Sequence, residues 1–84
     1  MEKICKVYVT MILQVAADGS IHPKGMIWED GHLYKIDRVK SVSPVISKKT
    51  CSCGMRYTVM IDGQERYFYD DKGRWFTEVP VYAD

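Results

Sequence analysis

Apolar and polar positions alternate along most of the chain, and turn-forming residues cut the alternation at short intervals. From Ile4 to Ala16, Val7, Val9, Met11, Leu13 and Val15 fall on one side of an extended chain, with Tyr8, Thr10, Ile12 and Gln14 on the other. A period of two marks a β-strand, and apolar residues on both sides mark a central one. This strand is long enough to bend and serve both ends of a curled sheet. Asp18-Gly19-Ser20 ends it in a turn. In Ile21–Glu29, Pro23 lacks a ladder donor and Gly25 marks a bulge or bend, so regular strand is expected only from Met26. Asp30-Gly31 predicts a hairpin that sets Trp28 opposite Leu33 and Ile27 opposite Tyr34. The returning strand, His32–Val42, keeps Tyr34 and Ile36 on one side; Val39 falls on the other parity, which predicts a bulge near Asp37-Arg38.

Ser41 to Gly54 reads as the one long connection. Ser43 as an N-cap, Pro44 at the first helical position and Val45-Ile46 with Lys48-Lys49 predict a short helix. Three runs rich in aromatic and β-branched residues follow, Met55–Ile61, Gln64–Asp70 and Arg74–Val79. Asp62-Gly63 suits a type I′ turn, and Asp71-Lys72-Gly73 reads as a three-residue loop with Gly73 in the left-handed region. These loops set Tyr57 opposite Phe68 and Phe68 opposite Phe76, and build the row Arg56–Tyr69–Trp75 on the other face. The expected core face is then Tyr57, Val59, Ile61, Phe68 and Phe76. Arg56, Tyr67, Tyr69 and Trp75 are expected on the opposite face. A slip of one residue would exchange the faces. Pro80 is expected to stop the last strand and leave 80–84 as a fraying tail.

The elements sum to an all-β fold of six antiparallel strands in hairpins, with a short helix between the third and fourth. An SH3-like roll or small barrel is the preferred architecture. An oligonucleotide-binding type barrel, which also carries a helix at that place, is the alternative. The 84 residues make one domain. Composition narrows function rather than fold. Twelve basic and 11 acidic residues leave a net charge of +1, which argues against strong electrostatic capture of nucleic acid. The three cysteines, Cys5, Cys51 and Cys53, are an odd number, so a secreted disulfide framework is disfavoured and the cytoplasm is expected. Lys3, Lys6, the apolar Val7–Val15 and Ala16-Ala17-Asp18 imitate a signal peptide, but the interruptions at Tyr8, Thr10 and Gln14 favour a strand.

Chemistry-bearing patterns are sparse. Cys51-x-Cys53 with His22 or His32 falls short of a tetrahedral zinc set, and the spacing is not that of a dithiol redox motif, so no metal and no cofactor are expected. No nucleophile elbow, His-Glu-x-x-His pair or phosphate-cradling loop is present, and the aspartates sit where turns use them. An enzyme is therefore not expected. The constellation that remains is Arg56, Tyr67, Tyr69 and Trp75, with Arg74 close by. It forms an aromatic and guanidinium surface on adjacent strands, suited to stacking bases or a peptide, or simply to covering the sheet.

Ile27-Trp28-Glu29-Asp30-Gly31, Tyr34–Val39, Gly54–Thr58 and Gly73-Arg74-Trp75-Phe76 together resemble a family of short bacterial all-β proteins of unknown function, over Lys6–Glu78. At the level of pattern, the chain is also similar to small β domains encoded near error-prone DNA polymerases. These motifs are hairpin turns and aromatic strand positions, so the resemblance implies a fold and assigns no catalytic or binding residue. The expectation is a cytoplasmic binding or adaptor module for a protein partner or a second copy of itself. The alternative is weak single-stranded nucleic-acid binding through Arg56, Tyr67, Tyr69, Arg74 and Trp75.

Overall fold

The computed structural model describes residues 2–47 and 52–82. Among them are eight strands and no helix: β1 Glu2–Tyr8, β2 Thr10–Val15, β3 Ile21–Ile27, β4 Leu33–Lys35, β5 Arg38–Ser47, β6 Ser52–Ile61, β7 Gln64–Asp71 and β8 Arg74–Tyr82. They form a five-stranded sheet, ordered β1-β8-β7-β6-β5, and a three-stranded sheet, β2-β3-β4. All pairings are antiparallel.

Among the described residues the chain passes between the sheets twice, and each passage divides what the alternation presents as one strand. The first lies at Val9, whose N–H donates to the Trp75 carbonyl at 3.0 Å, while Thr10 already pairs with Ile27 in the small sheet. The second lies at Ile36 and Asp37. The Ile36 N–H donates to Lys24 in the small sheet at 3.0 Å, and the Asp37 N–H to Met60 in the large one at 2.8 Å. The bulge expected near Asp37-Arg38 is therefore a full break, because adjacent amides serve different sheets. The bulge in that region is at Lys40, between the pairs Val39–Val59 and Ser41–Thr58.

Several expectations need correction. Regular pairing in β3 starts at Ile21 rather than Met26, since the extra residue Lys24 between the pairs Ile12–Gly25 and Leu13–Pro23 relieves the ladder beside Pro23. The hairpin at Asp30-Gly31 is longer than two residues. Gly31 (φ +85°) donates to Trp28 and Trp28 to His32, so Ile27 meets Leu33 and Met26 meets Tyr34. The helix expected over Ser43–Lys49 is strand through Ser47, and Lys48-Lys49 lies outside the described residues. Pro44 is tolerated because β5 is an edge. The Met60 carbonyl faces β5, so by alternation Met55 faces away, and Pro44 opposite it turns its missing donor to solvent.

The Asp62-Gly63 turn and the β6–β7 register stand as expected, with Tyr57 opposite Phe68 and Arg56 opposite Tyr69. The next turn is shorter than expected. Lys72 (φ +53°) and Gly73 (φ +90°) form a two-residue loop, held by the Asp70 carboxylate accepting the Gly73 N–H at 2.8 Å. Asp71 stays in the strand, Asp70 meets Trp75, and Tyr69 meets Phe76. That single residue exchanges the two faces of β8. Trp75 turns inward against Tyr57 (centroids 4.7 Å apart), and Phe76 turns outward. The core lies between the sheets and comprises Met26, Ile36, Tyr57, Val59, Phe68 and Trp75. Val59 and Phe68 have 0% and 2% of their surface exposed, and burial of each contributes roughly 1.5–3 kcal/mol. The last strand also continues past Pro80 to Tyr82, pairing with β1 down to Glu2.

Candidate binding surfaces

The outer face of the five-stranded sheet holds four of the five expected site residues. Arg56, Tyr67, Tyr69 and Arg74 share it, and Trp75 does not, being buried in the core. The register with β1 brings in Lys6 and Tyr8, opposite Glu78 and Phe76. Sequence reasoning missed these partners. The alternation assigns Tyr8 to one side of a strand expected to be central, and the pairing of the first strand with the last is non-local and reported by no turn.

Cations lie over the rings of this face. The Arg74 guanidinium is 4.0 Å from the Tyr8 centroid, Arg56 is 5.5 Å from Tyr67, and the Lys6 ammonium is 4.7 Å from Phe76. Tyr69 stacks on Phe76 at 5.0 Å and 9°, and Tyr8 meets the same ring edge-on at 5.7 Å. Phe76 is thereby buried on the outer side of the sheet, under side chains rather than under another sheet. Burial pushes the Tyr69 phenol above its ordinary value, and the Glu78 carboxylate adds to the rise while Arg56 opposes it. The Tyr67 hydroxyl donates to Glu65 at 3.0 Å, and Lys40 pairs with Glu65 at 2.8 Å. Lys40 first, and then Tyr67, hold the Glu65 carboxyl below the usual range.

A second feature lies at the seam between β7 and β8. Their ladder covers only Asp71–Arg74, Asp70–Trp75 and Tyr69–Phe76, after which the strands part. β7 continues paired to β6, and β8 continues paired to β1. The parting leaves a cleft of about 480 Å³, floored by Phe68 and Val79 and walled on the small-sheet side by Met26, Trp28 and Tyr34. Gln64, Arg66 and Glu78 stand at its rim. Backbone groups face the opening. The Tyr67 carbonyl accepts the Thr77 hydroxyl at 2.9 Å, so Glu65, two residues on, points its backbone the same way. The Trp75 carbonyl serves Val9 on the β1 side, so Glu78 and Pro80 face the seam. Pro80 therefore sits inside a sheet without breaking it, since its absent donor falls where no neighbouring strand pairs.

The remaining chemistry-bearing residues stand apart. Asp18 accepts both the Ser20 N–H (2.9 Å) and its hydroxyl (2.6 Å), and His22 Nε2 is 3.0 Å from the same hydroxyl oxygen. The Ser20 proton is committed to Asp18, so this is a closed turn rather than an activated nucleophile. The Ser20 hydroxyl is the first cause holding Asp18 below its ordinary value, followed by the Ser20 amide. His32 packs on Tyr34 with centroids 4.4 Å apart. Among the described residues no three His, Cys, Asp or Glu side chains gather as metal ligands. The Cys51/Cys53 pair, considered above as a metal or redox site, lies outside the residues whose side chains are described. Cys5 is exposed on β1. Among the described residues no helix is long and apolar enough to cross a membrane. No family model, curated protein or solved structure matches the chain.

Proposed function

We propose that this chain is a cytoplasmic, non-enzymatic protein-interaction module, an SH3-like roll that holds an extended segment of a partner in the β7–β8 cleft. The observation that carries this reading is the interrupted ladder. Two strands of one sheet part while each keeps its other neighbour, and the opening combines backbone groups that lie outside the β7–β8 ladder with an aromatic and apolar lining. An extended peptide gains affinity from main-chain hydrogen bonds and selectivity from alternate side chains seated in pockets. Glu65 and Glu78 supply the first from opposite lips, and Trp28, Tyr34 and Phe68 the second. Their near-neutral surroundings suit a polypeptide better than a polyanion.

The test is an NMR titration of isotope-labelled protein with peptides selected from an array of extended sequences. Amide shifts are expected at Glu65, Tyr67 and Glu78, with a shift of the Trp28 indole N–H, and Trp28→Ala should abolish them. Shifts confined to other regions, or no binder in the array, reject the reading.

A second reading is supported by the three cation–ring pairs of the outer face. Arg56, Tyr67, Tyr69 and Arg74, joined by Tyr8, offer a platform for weak stacking of single-stranded nucleic acid. Anisotropy of labelled single-stranded DNA and RNA would then rise with protein at low salt, fall at physiological salt, and stay flat for Arg56→Ala.

A further inference from the structure

Among the described residues four strands have a free edge, and three of these edges carry a feature that discourages pairing. β5 has the Lys40 bulge and Pro44, β4 is three residues long and ends in Lys35, and β1 carries Lys3 and Lys6. Bulges, proline, lysine and shortness are the usual means of blunting an edge. β2 has none of them. The bulge in the small sheet falls on β3, at Lys24, so β2 itself is regular. Between Lys6 and Asp18 the sequence contains no charged residue.

The direction of its backbone can be read from its end. The Ala16 N–H donates to Ser20 on the β3 side at 2.9 Å, so Leu13 and Val15 turn their N–H and C=O groups away from β3. The β7–β8 hairpin ends beside Met11 and Leu13, at Gly73, across a gap of about 270 Å³. Val15, beyond it, is 66% exposed, and Ile12 and Leu13 are 43% and 37% exposed.

We propose that β2 pairs with β2 of a second copy about a two-fold axis at Gln14. Leu13 of one copy then exchanges two backbone hydrogen bonds with Val15 of the other, and Val15 with Leu13. Gln14 faces Gln14 on the axis, where its exposed amide meets its own copy. An antiparallel two-fold contact sets each residue against one from the same segment, and this segment opposes no like charges. At β1 a two-fold contact centred on Lys3 or Lys6 would set lysine against lysine, which cross-strand pairing disfavours. The interface is distinct from the peptide cleft and does not depend on it.

Sedimentation equilibrium of the full chain over a concentration series tests the proposal. The wild type is expected to approach twice its 9.7 kDa mass. Gln14→Lys and Gln14→Glu, each at an exposed position and each shown to melt as the wild type does, should stay monomeric because like charges meet on the axis. An equimolar mixture of the two should recover the dimer mass, and Val42→Lys on the β5 edge should leave the wild-type behaviour unchanged. A wild type that stays monomeric, a Gln14→Lys protein that dimerises as the wild type does, or a mixture that remains monomeric would overturn it.

Discussion

The inner and outer faces of the five-stranded sheet are built from the same side-chain classes and covered in different ways. On the inner face Tyr57, Val59, Phe68 and Trp75 lie beneath the small sheet, where Met26 and Ile36 complete a close-packed layer. On the outer face Phe76 is buried beneath Tyr8, Tyr69 and Lys6, while Tyr8 and Tyr67 stay exposed with Arg74 and Arg56 over their rings. An apolar side chain can thus be buried by an opposing sheet or by the stems of long cations, and only the second leaves charge at the surface. The two covers differ in cost of removal. A cavity in a packed layer loses contacts on every side, whereas a stacked cation leaves behind a ring that water can reach.

The largest contrast is expected from Phe68→Ala, which should cost about 3–5 kcal/mol in denaturant-induced unfolding, more than any truncation on the outer face. A loss no greater than that of an outer-face truncation would break the comparison. Next comes Gly54→Ala. A Cβ there would lie 2.6 Å from the Asp70 carbonyl oxygen, so β6 and β7 must shift, with a loss of about 1–3 kcal/mol. Wild-type stability at this variant would mean that the outer face yields more readily than its backbone contacts suggest.

Smaller effects sharpen the picture. Arg56→Ala should cost about 0.5–1 kcal/mol through the lost stacking on Tyr67. Alkaline pH probes both faces together, because burial raises the phenols of Tyr57 and Tyr69 above the ordinary 10.0. In the unfolded chain these phenols ionise first. Stability is therefore full below pH 10 and declines as pH rises through the raised native values, which urea midpoints across that range would show. Tyr69→Phe should flatten part of the decline. Lys40→Ala, removing an exposed pair with Glu65, is expected to leave the urea midpoint within measurement error.

Much of this architecture is legible from local pattern. The turn at Asp62-Gly63 and the β6–β7 register follow from two residues whose conformational preferences suffice, and alternation identifies the strands on either side. Legibility ends where two local solutions are nearly equal in energy. Asp71-Lys72-Gly73 admits a two- or a three-residue loop, and the Asp70 side chain holding the Gly73 amide accompanies the shorter one. The consequence is large because strand side chains alternate, so Trp75 and Phe76 exchange faces and Trp75 leaves the candidate site. The Ser43-Pro44 signal misleads for a related reason. Its helix-start features are local, and the pairing with β6 that overrides them is not.

The sequence by itself determined the all-β class, most strand positions and the turns that use glycine at positive φ, since these depend on neighbours a few residues apart. The division of Ile4–Ala16 and His32–Val42 between two sheets, the Lys6–Tyr8 contribution to the outer face and the parting of β7 from β8 were decided by tertiary structure. Each depends on which distant strand takes up a given row of backbone groups, and an alternating pattern is the same whichever neighbour does so.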